Sequence, residues 1–179
     1  MYICTQKIIH NREGTTKSPL TFLTGMINEE LVKTLTREKI GGTPLFLVDA
    51  RVKPGNKIEV FIDSPTHVTV DECVSLSRYI EAGLNRDAED FELTVSSPGI
   101  DQPFKVMDQY QKYLGKEVSV LRKDGIKVIG MLKHVNDTTV EIETKRTERR
   151  EKGKGRHTLI ENITIDLDQI KETKLILPF

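Results

Sequence analysis

Tryptophan is absent, aromatic side chains make up only 6% of the 179 residues, and cysteine occurs just twice, at Cys4 and Cys73. Two cysteines 69 positions apart exclude a disulfide framework and a zinc knuckle. Cys73 falls within a helical apolar pattern, where a buried reduced thiol is the ordinary state, so a reducing cytoplasm fits best. No apolar run approaches the ~18–20 residues of a membrane-spanning helix, so a helical membrane span is not expected. No aromatic pair sits on a strand as a base-stacking platform, which leaves sequence-specific single-strand readout without support.

Catalytic signatures are missing too. Gly153-Lys154-Gly155 lacks the upstream spacing and the following Ser or Thr of a phosphate loop. The four histidines, His10, His67, His134 and His157, are scattered singly, so no metal site is expected. Ser96-Ser97-Pro98-Gly99 is turn chemistry rather than a G-x-S-x-G elbow. Asp49, Glu59 and Asp63 fit exposed strand faces better than an acid–base pair. Gly41-Gly42 is contiguous and precedes a strand, unlike the G-x-x-G loop of a KH module. No catalytic or cofactor-binding residue is expected, and no small-molecule substrate.

Residues 1–25 lack a secretory pattern, and 14–19 read as a loop. They are expected to be a disordered extension, with Met26 a candidate natural start. Folded grammar then begins. Asn28 is an N-cap, Glu29 and Glu30 fill the first turn, Arg37 and Lys39 the last, and Gly41-Gly42 stops the helix. Its apolar stripe is expected along Leu31, Leu35 and Ile40, with Ile27 stapled to Val32. Leu45–Val52 and Lys57–Asp63 form a hairpin around Pro54-Gly55-Asn56. Thr69-Val70-Asp71-Glu72 is a capping box opening a helix that buries Cys73, Leu76, Ile80 and Leu84. Phe91, Leu93 and Val95 alternate in a third strand, reached by a crossover that makes the sheet mixed.

Pro98-Gly99 suits the central positions of a type II turn, and the domain junction is placed at about 97–105. Val106, Tyr110, Tyr113 and Leu114 fit a short amphipathic helix ended by Gly115. From Lys116 onward come five short strands, with an Asp124-Gly125 hairpin, an Asn136-Asp137 turn and a helical turn at Leu167–Ile170. The expected fold is therefore α+β: an αββαβ domain over 26–104 with a mixed three-stranded sheet, then a small SH3/Sm-like β-barrel over 105–179.

The 27 basic and 27 acidic side chains cancel over the whole chain but not locally. Residues 26–104 carry 8 basic and 14 acidic side chains, whereas 105–179 carry 16 and 12. The segment 145–156 alone holds seven cations and two acids: Lys145, Arg146, Arg149, Arg150, Lys152, Lys154 and Arg156 against Glu148 and Glu151. With two glycines and no apolar residue, it is expected to be a long inter-strand loop contacting RNA phosphate. A solvated tip that only aids solubility is the competing explanation.

The ordered combination resembles the bacterial ribosome maturation factor RimP family. The likeness lies in Leu93-Thr94-Val95-Ser96-Ser97-Pro98-Gly99-Ile100-Asp101-Gln102-Pro103-Phe104, in Val60-Phe61-Ile62-Asp63, in Val70–Arg78, in Val118-Ser119-Val120 and in Gly130-Met131-Leu132. Gln102 stands where the family signature usually has arginine. The resemblance implies a cytoplasmic, non-catalytic assembly factor, monomeric and without cofactor or membrane. Its implied partner is the free small ribosomal subunit, met through a ribosomal protein near the decoding centre and through rRNA. Ser97, Pro98, Gly99, Asp101 and Pro103 are expected to set the inter-domain junction, with the prolines limiting motion there. An Sm-like RNA-binding ring is the alternative reading of the barrel; the missing Arg-Gly turn of Sm pockets counts against it.

Overall fold

In the computed structural model the described residues are 3–5, 27–84, 90–149 and 156–177, and the chain divides into two units, Met1–Pro98 and Gly99–Phe179. The first unit contains β1 (Ile3–Thr5), α1 (Glu29–Ile40), β2 (Phe46–Lys53), β3 (Lys57–Asp63), α2 (Val70–Gly83) and β4 (Glu92–Ser96). The second contains α3 (Met107–Lys112), β5 (Glu117–Arg122), β6 (Lys127–Val135), β7 (Thr139–Arg149), β8 (Arg156–Asp166), a 3-10 turn at Leu167–Gln169 and β9 (Ile170–Leu175).

Helix α1 starts where Asn28 Oδ1 accepts from the Glu30 N–H at 2.8 Å. Its buried residues are Val32, Thr36 and Ile40; of the stripe read from the sequence, Ile40 is buried and Leu35 packs half-buried on the core, while Leu31 is 44% exposed. Spacing decides this: 32, 36 and 40 repeat every four residues, and Thr36 joins the row because its hydroxyl donates to the Val32 carbonyl at 2.7 Å. Helix α2 opens with the expected capping box, in which the Glu72 N–H donates to Thr69 Oγ1 and Glu72 Oε2 accepts from the Thr69 N–H. Cys73, Leu76, Ile80 and Leu84 are all buried. They pack with Ile58, Val60, Leu93 and Val95 of the sheet.

The expected mixed sheet is present, with β2 and β3 antiparallel and β3 and β4 parallel. It has a fourth strand as well. Ile3–Thr5 pairs antiparallel with Ser96–Thr94, so part of the segment expected to be a disordered extension is an edge strand; the rest, 6–25, lies outside the described residues. Asn56 and Gly55 both take positive φ in the β2–β3 turn (54° and 80°), the conformation for which Pro-Gly-Asn is suited.

The second unit is a five-stranded antiparallel sheet in the order β8-β7-β6-β5-β9. The expected barrel is not closed: no ladder joins β8 to β9. The sheet is nevertheless rolled. Flat strands ~4.8 Å apart would separate its edges by ~19 Å. The chain from Asp166 to Ile170, however, covers at most ~14 Å extended and nearer ~8 Å as a 3-10 turn. Val118, Val120, Leu132, Val140 and Ile142 are fully buried inside the roll. At Gly130 the strands approach so closely that a Cβ would sit 2.3 Å from the Glu143 carbonyl oxygen.

Candidate functional site

At 145–149 and 156 the basic segment is paired strand rather than the expected loop. The β6–β7 ladder stops at Met131↔Glu143, but β7 and β8 stay in register through Lys145↔Ile160, Arg146↔Leu159, Thr147↔Thr158, Glu148↔His157 and Arg149↔Arg156. An antiparallel ladder satisfies its own backbone groups, so an absence of apolar residues does not prevent it from forming. Strand alternation places Lys145 with Ile160 on one face, and Arg146 with Leu159 on the other. Arg150, Lys152 and Lys154 lie outside the described residues.

At its far end the register sets Arg149 against Arg156. Lys145 and Arg146 are exposed, and the side chains flanking Lys145 in register include Ile160, 64% exposed. Such an arrangement can bind phosphate. Among the described residues no group of three or more His, Cys, Asp or Glu side chains is placed to hold a metal ion.

The junction residues do something other than the turn expected of them. Gly99 does not take positive φ, so Pro98-Gly99 is not a type II turn. The turn falls later, with the Gln102 N–H donating to the Gly99 carbonyl at 3.0 Å. Asp101 folds back over it, its Oδ1 2.6 Å from where a Gly99 Cβ would lie, so a side chain at 99 would have to displace that exposed carboxylate. Ser97 and Pro98 are half-buried at the end of the first unit; Gly99 and Pro103 are half-buried and Asp101 and Gln102 exposed at the start of the second.

Phe104, the last residue of that signature, is where the second unit gains its hold. Its N–H donates to the Thr173 carbonyl at 2.9 Å, and its ring meets Tyr110 edge-on at 5.1 Å and stacks on Tyr113 at 5.2 Å. Gln109 Oε1 accepts from the Lys105 N–H at 2.7 Å, fixing the entry to α3. Burial pushes the Tyr110 phenol above its usual 10.0, partly offset by the hydrogen bond it donates to Thr173 Oγ1 at 2.9 Å. Sequence reading named Tyr110 for its apolar spacing and missed its polar role, which depends on a partner 63 residues away.

Of the carboxylates read as exposed strand residues, Asp49 and Glu59 are half-buried, with Arg51 Nε on Asp49 at 2.7 Å and Lys53 Nζ on Glu59 at 2.6 Å. Asp63 corrects the expectation: it is only 5% exposed, because β3 ends there and Asp63 Oδ1 accepts from the Ser64 N–H at 2.9 Å. Asp49 is thus met from its own strand and Glu59 from the neighbouring one. Among the described residues no helix is long and apolar enough to cross a membrane.

The family model described as the RimP N-terminal domain matches residues 37–101, from the last turn of α1 through the Ser97-Pro98-Gly99-Asp101 signature. The ribosome maturation factor RimP of Porphyromonas gingivalis is 36% identical over 152 residues, covering 85% of this chain and all of that protein. The RimP proteins of Flavobacterium psychrophilum (32% over 156 residues) and Christiangramia forsetii (28% over 154 residues) each cover 86% of the chain and their own full length. By likeness of this extent across both structural units, the chain belongs to the ribosome maturation factor RimP family.

Proposed function

We propose that the protein is a non-catalytic assembly factor for the small (30S) ribosomal subunit, binding the free subunit as a monomer through a ribosomal protein near the decoding centre and through rRNA. The observation that carries this reading is the β7–β8 strand pair in a RimP-family chain, where exposed Lys145 and Arg146 open the basic run 145–156 and suit phosphate, which rRNA supplies. The excess of acidic over basic side chains in 26–104 suits a basic ribosomal protein as the second contact. Pro98 and Pro103 fix φ at two points of the connecting segment, reducing the conformations it can sample.

Gradient sedimentation of the tagged full chain tests this. It should travel with free small subunits and be absent from assembled ribosomes. Migration as a hexameric or heptameric ring, or confinement to light fractions, contradicts the reading. Reversing four charges (Arg149→Glu, Arg150→Glu, Lys152→Glu, Lys154→Glu) should release the protein from the subunit at physiological salt; undiminished co-sedimentation removes the basic segment from the mechanism.

A further inference from the structure

A sheet edge presents unpaired backbone N–H and C=O groups that template another strand, and proteins blunt such edges. Three edges here are blunted. β1 is three residues long. β2 bulges between Leu47 and Asp49 and carries Arg51 and Lys53. β9 is irregular beside Lys171, carries Lys171 and Lys174, and has the Phe104 N–H bonded to its Thr173 carbonyl.

β8 has none of these devices beyond Arg156 at its first position. It runs eleven residues in unbroken register with β7, and no strand pairs with its other side among the described residues. It contains no proline, and no Lys or Arg occurs between His157 and Ile170. Leu159 and Ile160 are exposed (43% and 64%) on opposite faces. Its charge is one-sided: Glu161 is exposed midway, and Asp166, Asp168 and Asp137 line a depression at its far end together with Leu167.

We infer that β8 accepts an added strand: an extended segment of a protein partner in which aliphatic residues alternate with Lys or Arg. Main-chain hydrogen bonds to the free edge supply affinity, and the alternating side chains supply selectivity. Aliphatic side chains cover Ile160 on one face, and cations meet Glu161 on the other. Nucleic acid does not suit this edge, because Glu161, Asp166 and Asp168 repel phosphate. A second copy of the chain does not suit it either, since antiparallel self-pairing about the strand centre brings the two Glu161 residues together with no cation from 158–165 to meet them. The inference rests on the protein contact of the proposed function and names where that contact forms.

The probe is a capped ten-residue peptide of alternating Val and Lys, titrated into the isotope-labelled full chain. Amide shifts should appear on alternate residues of 158–166, with slowed hydrogen exchange there. The same peptide N-methylated at every second residue, which cannot complete the ladder, should bind at least about tenfold more weakly, as should a Val/Glu peptide. Ile160→Lys, at a position exposed enough to spare the fold, should weaken the parent peptide similarly. Equal binding of the N-methylated peptide, shifts confined to other elements, shifts of the 161–166 amides by an RNA oligonucleotide, or dimerisation through β8 each overturn the inference. Gradients separate it from the broader reading. If the parent chain co-sediments with small subunits and Ile160→Lys does so undiminished, the added-strand site fails alone; if the parent chain does not co-sediment, the proposed function fails whatever the peptide does.

Discussion

Replacing Gly130 with alanine should destabilise the second unit selectively. An added Cβ would stand 2.3 Å from the Glu143 carbonyl oxygen, 2.8 Å from Ile142 Cγ2 and 3.0 Å from the Glu143 carbonyl carbon. Ordinary carbon–oxygen contact needs ~3.2–3.4 Å, so β7 must retreat by nearly ~1 Å exactly where its ladder with β6 ends. Backbone cannot turn aside as a side chain does, and Ile142 is fully buried. Overpacking of this kind costs ~1–3 kcal/mol. In a unit of this size, that lowers the melting temperature by roughly 4–8 °C per kcal/mol. Gly83→Ala is the internal control: its Cβ would come within 2.7 Å of Leu35 Cδ1 and Cδ2, but those are the movable ends of a side chain. Its effect should stay below ~1 kcal/mol, since alanine in place of glycine near a helix end offsets part of the crowding. Calorimetry of the full chain resolves the two units if they melt separately, and tyrosine fluorescence from Tyr110 and Tyr113 reports the second. A Gly130→Ala protein whose second unit melts within 1 °C of the parent would refute the close-approach argument.

Further outcomes follow from named contacts. Thr69→Ala removes the α2 capping box and should cost the first unit ~1 kcal/mol by urea denaturation. Hydrogen bonds from the Thr69 N–H and hydroxyl hold the Glu72 carboxyl below its usual 4.5. Its stabilising contribution is therefore present above the ordinary carboxylate range and lost as pH falls through the lowered value; Glu72→Gln should flatten that part of the acid limb, and an unchanged pH profile would count against it. Phe104→Ala strips the ring that meets both Tyr110 and Tyr113 and should destabilise the second unit by ~2–3 kcal/mol, read as a lower midpoint with an unchanged first-unit transition.

Local signals were the legible ones. The capping box at Thr69–Glu72 and the buried row Cys73, Leu76, Ile80 and Leu84 follow from residues within one or two helical turns, and they stand as read. What sequence left open depends on partners far along the chain. Ile3–Thr5 is too short to declare itself and exists as a strand only because Ser96–Thr94 offers an edge. Leu31 is more apolar than Thr36, yet Thr36 is buried because its hydroxyl has an acceptor one turn back. Pro98-Gly99 has the composition of a type II turn, but Asp101 turns onto Gly99 and moves the turn downstream. Composition marked the basic segment as a site candidate and mistook its conformation, since ladder formation at Lys145–Arg149 needs no apolar pattern. The open edge of β8 could not be read at all, because strand order is a property of the folded sheet; its one trace in the sequence is the stretch from His157 to Ile170 without a Lys or Arg.

The most direct measurement is the equilibrium binding of the purified full chain to free small subunits as a function of salt, for the parent protein and for the variant reversed at Arg149, Arg150, Lys152 and Lys154. With about five phosphates neutralised by the basic segment, the logarithm of affinity should fall against the logarithm of salt with a slope of roughly −4, and the variant should bind weakly with a slope near zero. Equal affinity and equal slope in the two proteins would contradict the account.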